Sequence, residues 1–198
     1  MKRSAIVVAI LIPLWVITIG VGIFVLMKYE FTPGIGGMPG AHWPSNTQIP
    51  LSIDRPTLVM FVHPQCPCTR ASIIELGKLI TNYKNRLKAY VLLFSPKSVP
   101  SGWDRTALRN SAQSIPGVIV LSDIDGIEAS RFHSVTSGQT MIYNPHGQLL
   151  FSGGITAARG QEGDNPSLNS AKLALDIQSS KTRKTLVFGC SLISSNKK

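Results

Sequence analysis

Apolar residues run almost without interruption from Ala5 to Met27, about the length a helix needs to cross a bilayer. Pro13, Gly20 and Gly22 fall inside the run, and such residues are tolerated in membrane-spanning helices. The pattern then breaks. Residues 29–56 are rich in proline and glycine (Thr32-Pro33-Gly34-Ile35-Gly36-Gly37-Met38-Pro39-Gly40) and keep no hydrophobic period, which predicts a linker. Trp43 and Ile49 are the residues able to dock its later part onto the domain. From 57 onward short apolar runs alternate with amphipathic stretches. Residues 57–62 read as a buried strand started by Pro56, and Ile73, Ile74, Leu76, Leu79 and Ile80 then recur at helical spacing. A second apolar strand over 89–94 is closed by Ser95-Pro96, so strand, helix and strand fit a parallel βαβ unit.

The later elements obey the same logic. Residues 103–114 predict a helix ended by Pro116-Gly117, and 118–121 predict a third buried strand. Asp123-Ile124-Asp125-Gly126 begins like a calcium loop but lacks the remaining ligands and the terminal Glu, so it reads as a turn capping a short helix near 128–133. Residues 136–143 and 148–152 flank Asn144-Pro145-His146-Gly147, whose proline and glycine suit a type I turn, and together they predict an antiparallel hairpin. A final helix over 167–180 gathers Leu168, Ala171, Leu173, Ala174 and Ile177 on one face, and an extended tail over 185–190 ends at Cys190. The chain thus divides into a membrane anchor (1–28), a linker (29–56) and one domain (57–198).

Charge adds orientation. Lys2 and Arg3 precede the apolar run, whereas Lys28 and Glu30 after it offset each other. The positive-inside rule puts the N-terminus in the cytoplasm and the domain in the periplasm or an equivalent extracytoplasmic compartment. The run is too long for a signal-peptide core and no Ala-x-Ala site comes after it, so it reads as a retained single-pass anchor. The net charge is +10. No Lys/Arg run interleaved with aromatics accompanies it, which argues against a nucleic-acid partner. Lys181, Arg183 and Lys184 form the densest basic patch and suit a solvated helix end beside an anionic membrane surface. No Ser/His/Asp triad, paired-carboxylate signature or dinucleotide fingerprint is present, which leaves hydrolysis and hydride transfer without residues.

The candidate chemistry lies in Phe61-Val62-His63-Pro64-Gln65-Cys66-Pro67-Cys68-Thr69-Arg70-Ala71-Ser72, on the turn from the first strand into the first helix. Pro67 suits the first helical position, which makes Cys66 the predicted N-cap. A sulfur there faces unpaired N–H groups and the positive end of the helix dipole, and both favour the reactive thiolate. If Gly138 starts its strand beside Cys66, the antiparallel partner strand ends there too. The loop 153–165 then forms one wall, with Gly153 and Gly154 permitting close backbone approach to a ligand or to the cysteines, and Arg159 suited to stabilise an anion. The loop lacks the Gly-Lys-Ser/Thr ending of a phosphate cradle. The tail is long enough to bring Cys190 back to Cys66 or Cys68, at about 3.3 Å per extended residue.

An apolar strand followed by a cysteine pair at the mouth of a helix resembles the thioredoxin-like superfamily. More narrowly, the His63-Pro64-Gln65-Cys66-Pro67-Cys68-Thr69-Arg70-Ala71-Ser72 run is similar to the small membrane-anchored RedB proteins. So are Gly153-Gly154-Ile155-Thr156 with Arg159-Gly160 and Gly163-Asp164-Asn165, and Val187-Phe188-Gly189-Cys190. The resemblance implies an α/β fold, a thioredoxin-like mixed sheet flanked by helices, preceded here by one transmembrane helix. It implies thiol–disulfide exchange with disulfide-bearing or dithiol protein partners, without a cofactor. Cys66, Cys68 and Cys190 are the expected catalytic cysteines, with His63, Pro67, Arg70, Gly138, Gln139, Gly153, Gly154 and Arg159 in support. One departure stands out: thioredoxins place a cis-proline before the hairpin strand, and Gln139 or its neighbour takes that place here. Two alternatives remain open. His63, Cys66, Cys68 and Cys190 form a soft ligand set suited to copper(I), and a non-catalytic interaction domain would use the same fold.

Overall fold

The structure is a computed structural model and describes residues 2–100, 102–179 and 181–192. The first apolar run forms a single helix, α1 (Lys2–Phe31), with Pro13 inside it. Its segment Ile6–Phe31 is long and apolar enough to cross a membrane. Its 26 residues cover about 39 Å at 1.5 Å per residue, against about 30 Å of hydrocarbon. The chain divides after Thr32 into two compact units, of which α1 is the first.

The second unit carries β1 (Thr57–Val62), α2 (Thr69–Asn82), β2 (Lys88–Ser95), α3 (Ala107–Gln113), β3 (Val118–Ile124), α4 (Ile127–Arg131), β4 (Gln139–Tyr143), β5 (Leu149–Gly153), α5 (Pro166–Ile177) and β6 (Arg183–Lys184). The strands form one mixed sheet in the order β3-β2-β1-β4-β5-β6. β1, β2 and β3 run parallel, β4 is antiparallel to β1 and to β5, and β6 is parallel to β5. The sixth strand, set by the tail, has no counterpart in the hydrophobic pattern. β1 is buried throughout because it lies mid-sheet with both faces covered. Leu58, Met60 and Val62 pack with Ile73, Leu76, Leu79, Leu168 and Ala171 on the face of α2 and α5. Val59 and Phe61 pack with Met141, Tyr143 and Phe132 on the other.

That second face is closed in large part by the segment expected to be a linker. Trp43 meets Phe132 and Tyr143 edge to face, at centroid distances of 4.9 and 5.1 Å, and Ile49 is buried. The segment is also held by backbone: Trp43 N–H donates to Gly147 O at 2.7 Å and Leu149 N–H to Ala41 O at 2.9 Å. Proline and glycine removed the hydrophobic period without removing the docking.

Helix caps reflect residue chemistry. Thr106 accepts from Arg109 N at the start of α3, which is shorter than the 103–114 expected. Asn165 accepts from Leu168 N at the start of α5, and Pro166 takes the first helical position. The far end expected for α5, Ser180, lies outside the described residues, and the helix stops at Ile177. Asp123 accepts from Glu128 N and Ala129 N at 2.8 and 2.9 Å, so the acidic turn caps α4.

Candidate active site

The cysteine turn leaves the carboxyl end of β1, and α2 starts two residues later than the proline rule suggests. Cys66 N–H donates to His63 O, Thr69 N–H to Cys66 O and Arg70 N–H to Pro67 O, which makes consecutive tight turns before the first α-helical bond. Cys68 rather than Cys66 holds the N-cap position. Its own backbone is already helical and its side chain makes no cap bond. Pro67 is exposed, while Cys66 and Cys68 retain only 3% and 7% of their surface.

Cys190 completes the cluster. The three cysteines are thiols, and their sulfur atoms all lie within 4.8 Å of one another. Cys66 Sγ and Cys190 Sγ are hydrogen-bonded at 2.8 Å, and Cys190 N–H donates to Cys66 Sγ at 3.4 Å. Burial alone would push the Cys66 thiol up. Hydrogen bonds from the Cys190 thiol, the Thr69 hydroxyl and the two backbone N–H groups outweigh it and hold Cys66 below the ordinary cysteine range. Burial pushes Cys190 the other way, and its hydrogen bond to Cys66 adds to the rise. The two shifts run in opposite directions, so of the pair Cys66 gives up its proton more readily and Cys190 keeps its proton longer. The expected direction at Cys66 holds, but the donors are those of the tail and Thr69 rather than an N-cap position.

Ser137 ties turn and tail together, and no sequence signal singled it out. Its hydroxyl accepts from His63 N–H at 2.8 Å and bonds the Thr69 hydroxyl at 2.7 Å, while its N–H donates to Cys190 O at 2.8 Å. A Cβ on Gly189 would stand 1.9 Å from Ser137 O, so only glycine lets the tail approach this closely. Thr136 and Ser191 form an antiparallel bridge beside it. Gly138 lies at φ +88°, donates its N–H to Phe61 O and would bring a Cβ to 3.0 Å from Ser72 Oγ.

Gln139, Gly153 and Gly154 act elsewhere than expected. Gln139, in the cis-proline place, pairs with Phe61 and spends its amide on the N-terminal segment rather than on the cysteines. It accepts from Gly37 N–H at 3.1 Å and donates to Gly37 O at 3.0 Å, clamping the N-terminal segment. No cis peptide bond occurs among the described residues. Gly153 and Gly154 admit the tail rather than a ligand or the cysteines: added Cβ atoms would lie 2.1 Å from Thr185 Oγ1 and 2.7 Å from Leu186 O. Arg159 donates to Gly189 O at 2.6 Å and so holds the residue before Cys190. Its charge also favours the Cys190 thiolate, against burial.

His63 lies outside the three-sulfur group. Its Nδ1 accepts from Gln65 N–H at 3.3 Å, and its ring packs on Phe94 and Trp103 at 5.9 and 5.6 Å between centroids. Burial holds its pKa below the ordinary histidine value. Arg70 is exposed and, with Pro64, Gln65, Cys66 and Pro67, lines a cleft of about 600 Å³ whose other wall is Thr106, Leu108 and Ser111. Cys66 is reached from that side.

A parallel βαβ unit, an antiparallel hairpin beside its first strand, a closing helix, and cysteines at the end of that strand define the architecture. The fold is thioredoxin-like. The chain is similar to the crystal structure of an uncharacterized conserved protein from Geobacillus kaustophilus, with a TM-score of 0.60 and 16% identity over 85% of this chain and 95% of that one. A hypothetical protein from Sinorhizobium meliloti 1021 aligns with a TM-score of 0.56 and 14% identity, over 82% and 96% of the two chains. A secreted Mycobacterium tuberculosis disulfide oxidoreductase homologous to E. coli DsbE aligns with a TM-score of 0.45 and 13% identity, over 64% and 84%. At these identities the likeness to the first two is one of fold. No protein-family model and no curated protein matches the chain.

Proposed function

We propose that this protein is a membrane-anchored thiol–disulfide oxidoreductase whose working pair is Cys66 and Cys190. The observation that carries the reading is the 2.8 Å contact between the two sulfurs, with Cys66 favoured as thiolate and Cys190 as its proton-bearing partner. In the reducing direction, the Cys66 thiolate attacks a disulfide of a protein partner. A Cys66–partner bond forms, the partner's S–S bond breaks, and the leaving sulfur takes a proton. Cys190, deprotonated as Cys66 loses its charge, then attacks Cys66 Sγ. The partner leaves as a dithiol and the protein keeps a Cys66–Cys190 disulfide, two electrons having passed to the partner. The reverse sequence oxidises a dithiol partner.

The similarity of the cysteine run, the glycine loop and the tail to RedB proteins supports the same reading. So does the single apolar helix with its basic N-terminal flank, which favours the domain on the extracytoplasmic side, where disulfide chemistry belongs. The test is a trap. Full-length Cys190→Ser, reduced and offered a disulfide-bearing protein, should accumulate a mixed disulfide through Cys66 that reductant releases, whereas Cys68→Ser should turn over. Trapping by Cys68→Ser with turnover in Cys190→Ser would reassign the second cysteine. No adduct in either variant would remove the exchange reading.

A further inference from the structure

The two-cysteine cycle leaves one member of the cluster without a role. Cys68 is 7% exposed, stands at the start of α2, and has its sulfur within 4.8 Å of both others. We propose that the reduced cluster is a three-sulfur site for a soft monovalent metal ion, copper(I), ligated by Cys66, Cys68 and Cys190 and not by His63.

Geometry and chemistry point the same way. Three sulfurs around a trigonal ion at a metal–sulfur bond of about 2.3 Å stand about 4 Å apart. The observed cluster reaches that arrangement if Cys66 and Cys190 separate from 2.8 Å, with all three already within 4.8 Å. Thiolates select soft ions, while Ca²⁺ and Mg²⁺ require oxygen ligands. Zn²⁺ prefers four ligands, and among the described residues no histidine, cysteine or carboxylate joins the three sulfurs. His63 has its Nδ1 engaged by Gln65 N–H and its ring packed on Phe94 and Trp103.

A cluster of thiolates needs compensating positive charge. Arg159 donates to Gly189 O at 2.6 Å, which sets a guanidinium charge one residue from Cys190. The N-terminus of the 14-residue α2 begins beside Cys68 and adds its dipole. Binding exchanges thiol protons for the ion and moves no electrons. Forming the Cys66–Cys190 disulfide removes two ligands, so metal occupancy and disulfide exclude each other.

The experiment uses the full-length, detergent-solubilised protein, reduced and kept anaerobic, with copper(I) supplied from a coloured competing chelator. Wild type should withdraw one copper(I) per chain, and X-ray absorption at the copper edge should count three sulfurs and no nitrogen. Cys68→Ala should lower affinity by at least about tenfold and bring the sulfur count to two. Its circular dichroism and thermal melt should match wild type, which shows that the variant is folded. His63→Ala should bind as wild type does. The proposal is overturned if wild type leaves the ion with the chelator, if Cys68→Ala binds as tightly as wild type, or if His63→Ala weakens binding as much as Cys68→Ala. None of these results bears on the mixed-disulfide trap, so the two readings stand or fall separately.

Discussion

Cys66 and Cys68 sit on a turn clamped by its immediate neighbours. β1 on one side is six residues long and buried throughout, and α2 on the other buries Ile73, Leu76 and Leu79 against it. Cys190 sits on a tail with two residues of regular strand, and the groups that hold it come from distant parts of the chain: Ser152, Gly154, Gly34, Ser137, Val135 and Arg159. Burying an apolar side chain contributes about 1.5–3 kcal/mol, whereas a hydrogen bond nets about 0.5–1.5 kcal/mol. The turn is therefore positioned by the core. The tail is positioned by Val187, Phe188 and Leu192, which are buried, and by several weaker links acting together. A site assembled this way has one fixed half and one that small changes can unseat.

The largest expected effect comes from unseating the tail. In Gly189→Val the added carbons collide with Ser137 O, which a Cβ alone would meet at 1.9 Å. The yield of Cys66–Cys190 disulfide in a glutathione buffer, read by mass spectrometry, should fall by at least about tenfold. Cys66 should still alkylate. A normal yield would show that the tail contact with Ser137 does not position Cys190.

Ser137→Ala strikes both halves at once. It removes the acceptor for the half-buried His63 N–H and the partner of the buried Thr69 hydroxyl. Denaturant titration should show a loss of about 1–3 kcal/mol, the cost of an orphaned buried donor. A loss within about 0.5 kcal/mol would mean the join between turn and tail is not structural.

The pH response separates the two thiols. Cys66 should alkylate below the ordinary cysteine range of about 8.5, losing reactivity as pH falls through its folded-state pKa. Cys190→Ala removes the thiol donor and should move that midpoint upward. The stability contributions have opposite signs. The lowered Cys66 pKa contributes above its unfolded value and is lost as pH falls through the folded one. The raised Cys190 pKa contributes below its unfolded value and is lost as pH rises through the folded one. An unmoved Cys66 midpoint in Cys190→Ala would assign its reactivity to Thr69 and the backbone.

The smallest effect is expected at Gln139→Leu. Its amide clamps Gly37 and makes no bond to a cysteine in the hydrogen bonds it forms there. Segment 35–41 should become more sensitive to limited proteolysis, at a stability cost of about 1 kcal/mol, with Cys66 alkylation unchanged. A changed alkylation rate would tie the N-terminal segment to the site.

Strand parity explains why the clamping role of Gln139, and Ser137 altogether, escaped sequence reasoning. Side chains alternate between faces along a strand, so a shift of one residue moves a group from one side of the sheet to the other. The pairing of Gln139 with Phe61 fixes which side Gln139 takes, and Phe61 belongs to the core beneath Trp43 and Ile49. Nothing local to 136–140 states that register. Gly153 and Gly154 were legible as places of close approach, but the approaching segment was not, because Thr185 and Leu186 arrive from beyond another helix.

By itself the sequence determined the apolar helix, the βαβ unit, the hairpin and the cysteine pair on the turn between the first strand and its helix. Each of these depends on side-chain periodicity or on groups within a few residues of one another. It also determined that the tail is long enough to return, since chain length bounds reach. Only the tertiary structure decided that Cys190 meets Cys66, that Ser137 joins them, that His63 stays out of the sulfur cluster, and that 33–56 lies against the sheet. Those outcomes depend on which groups meet across long stretches of chain, 74 residues between His63 and Ser137 and 124 between Cys66 and Cys190. That choice is made by burial and hydrogen-bond satisfaction over the whole fold at once.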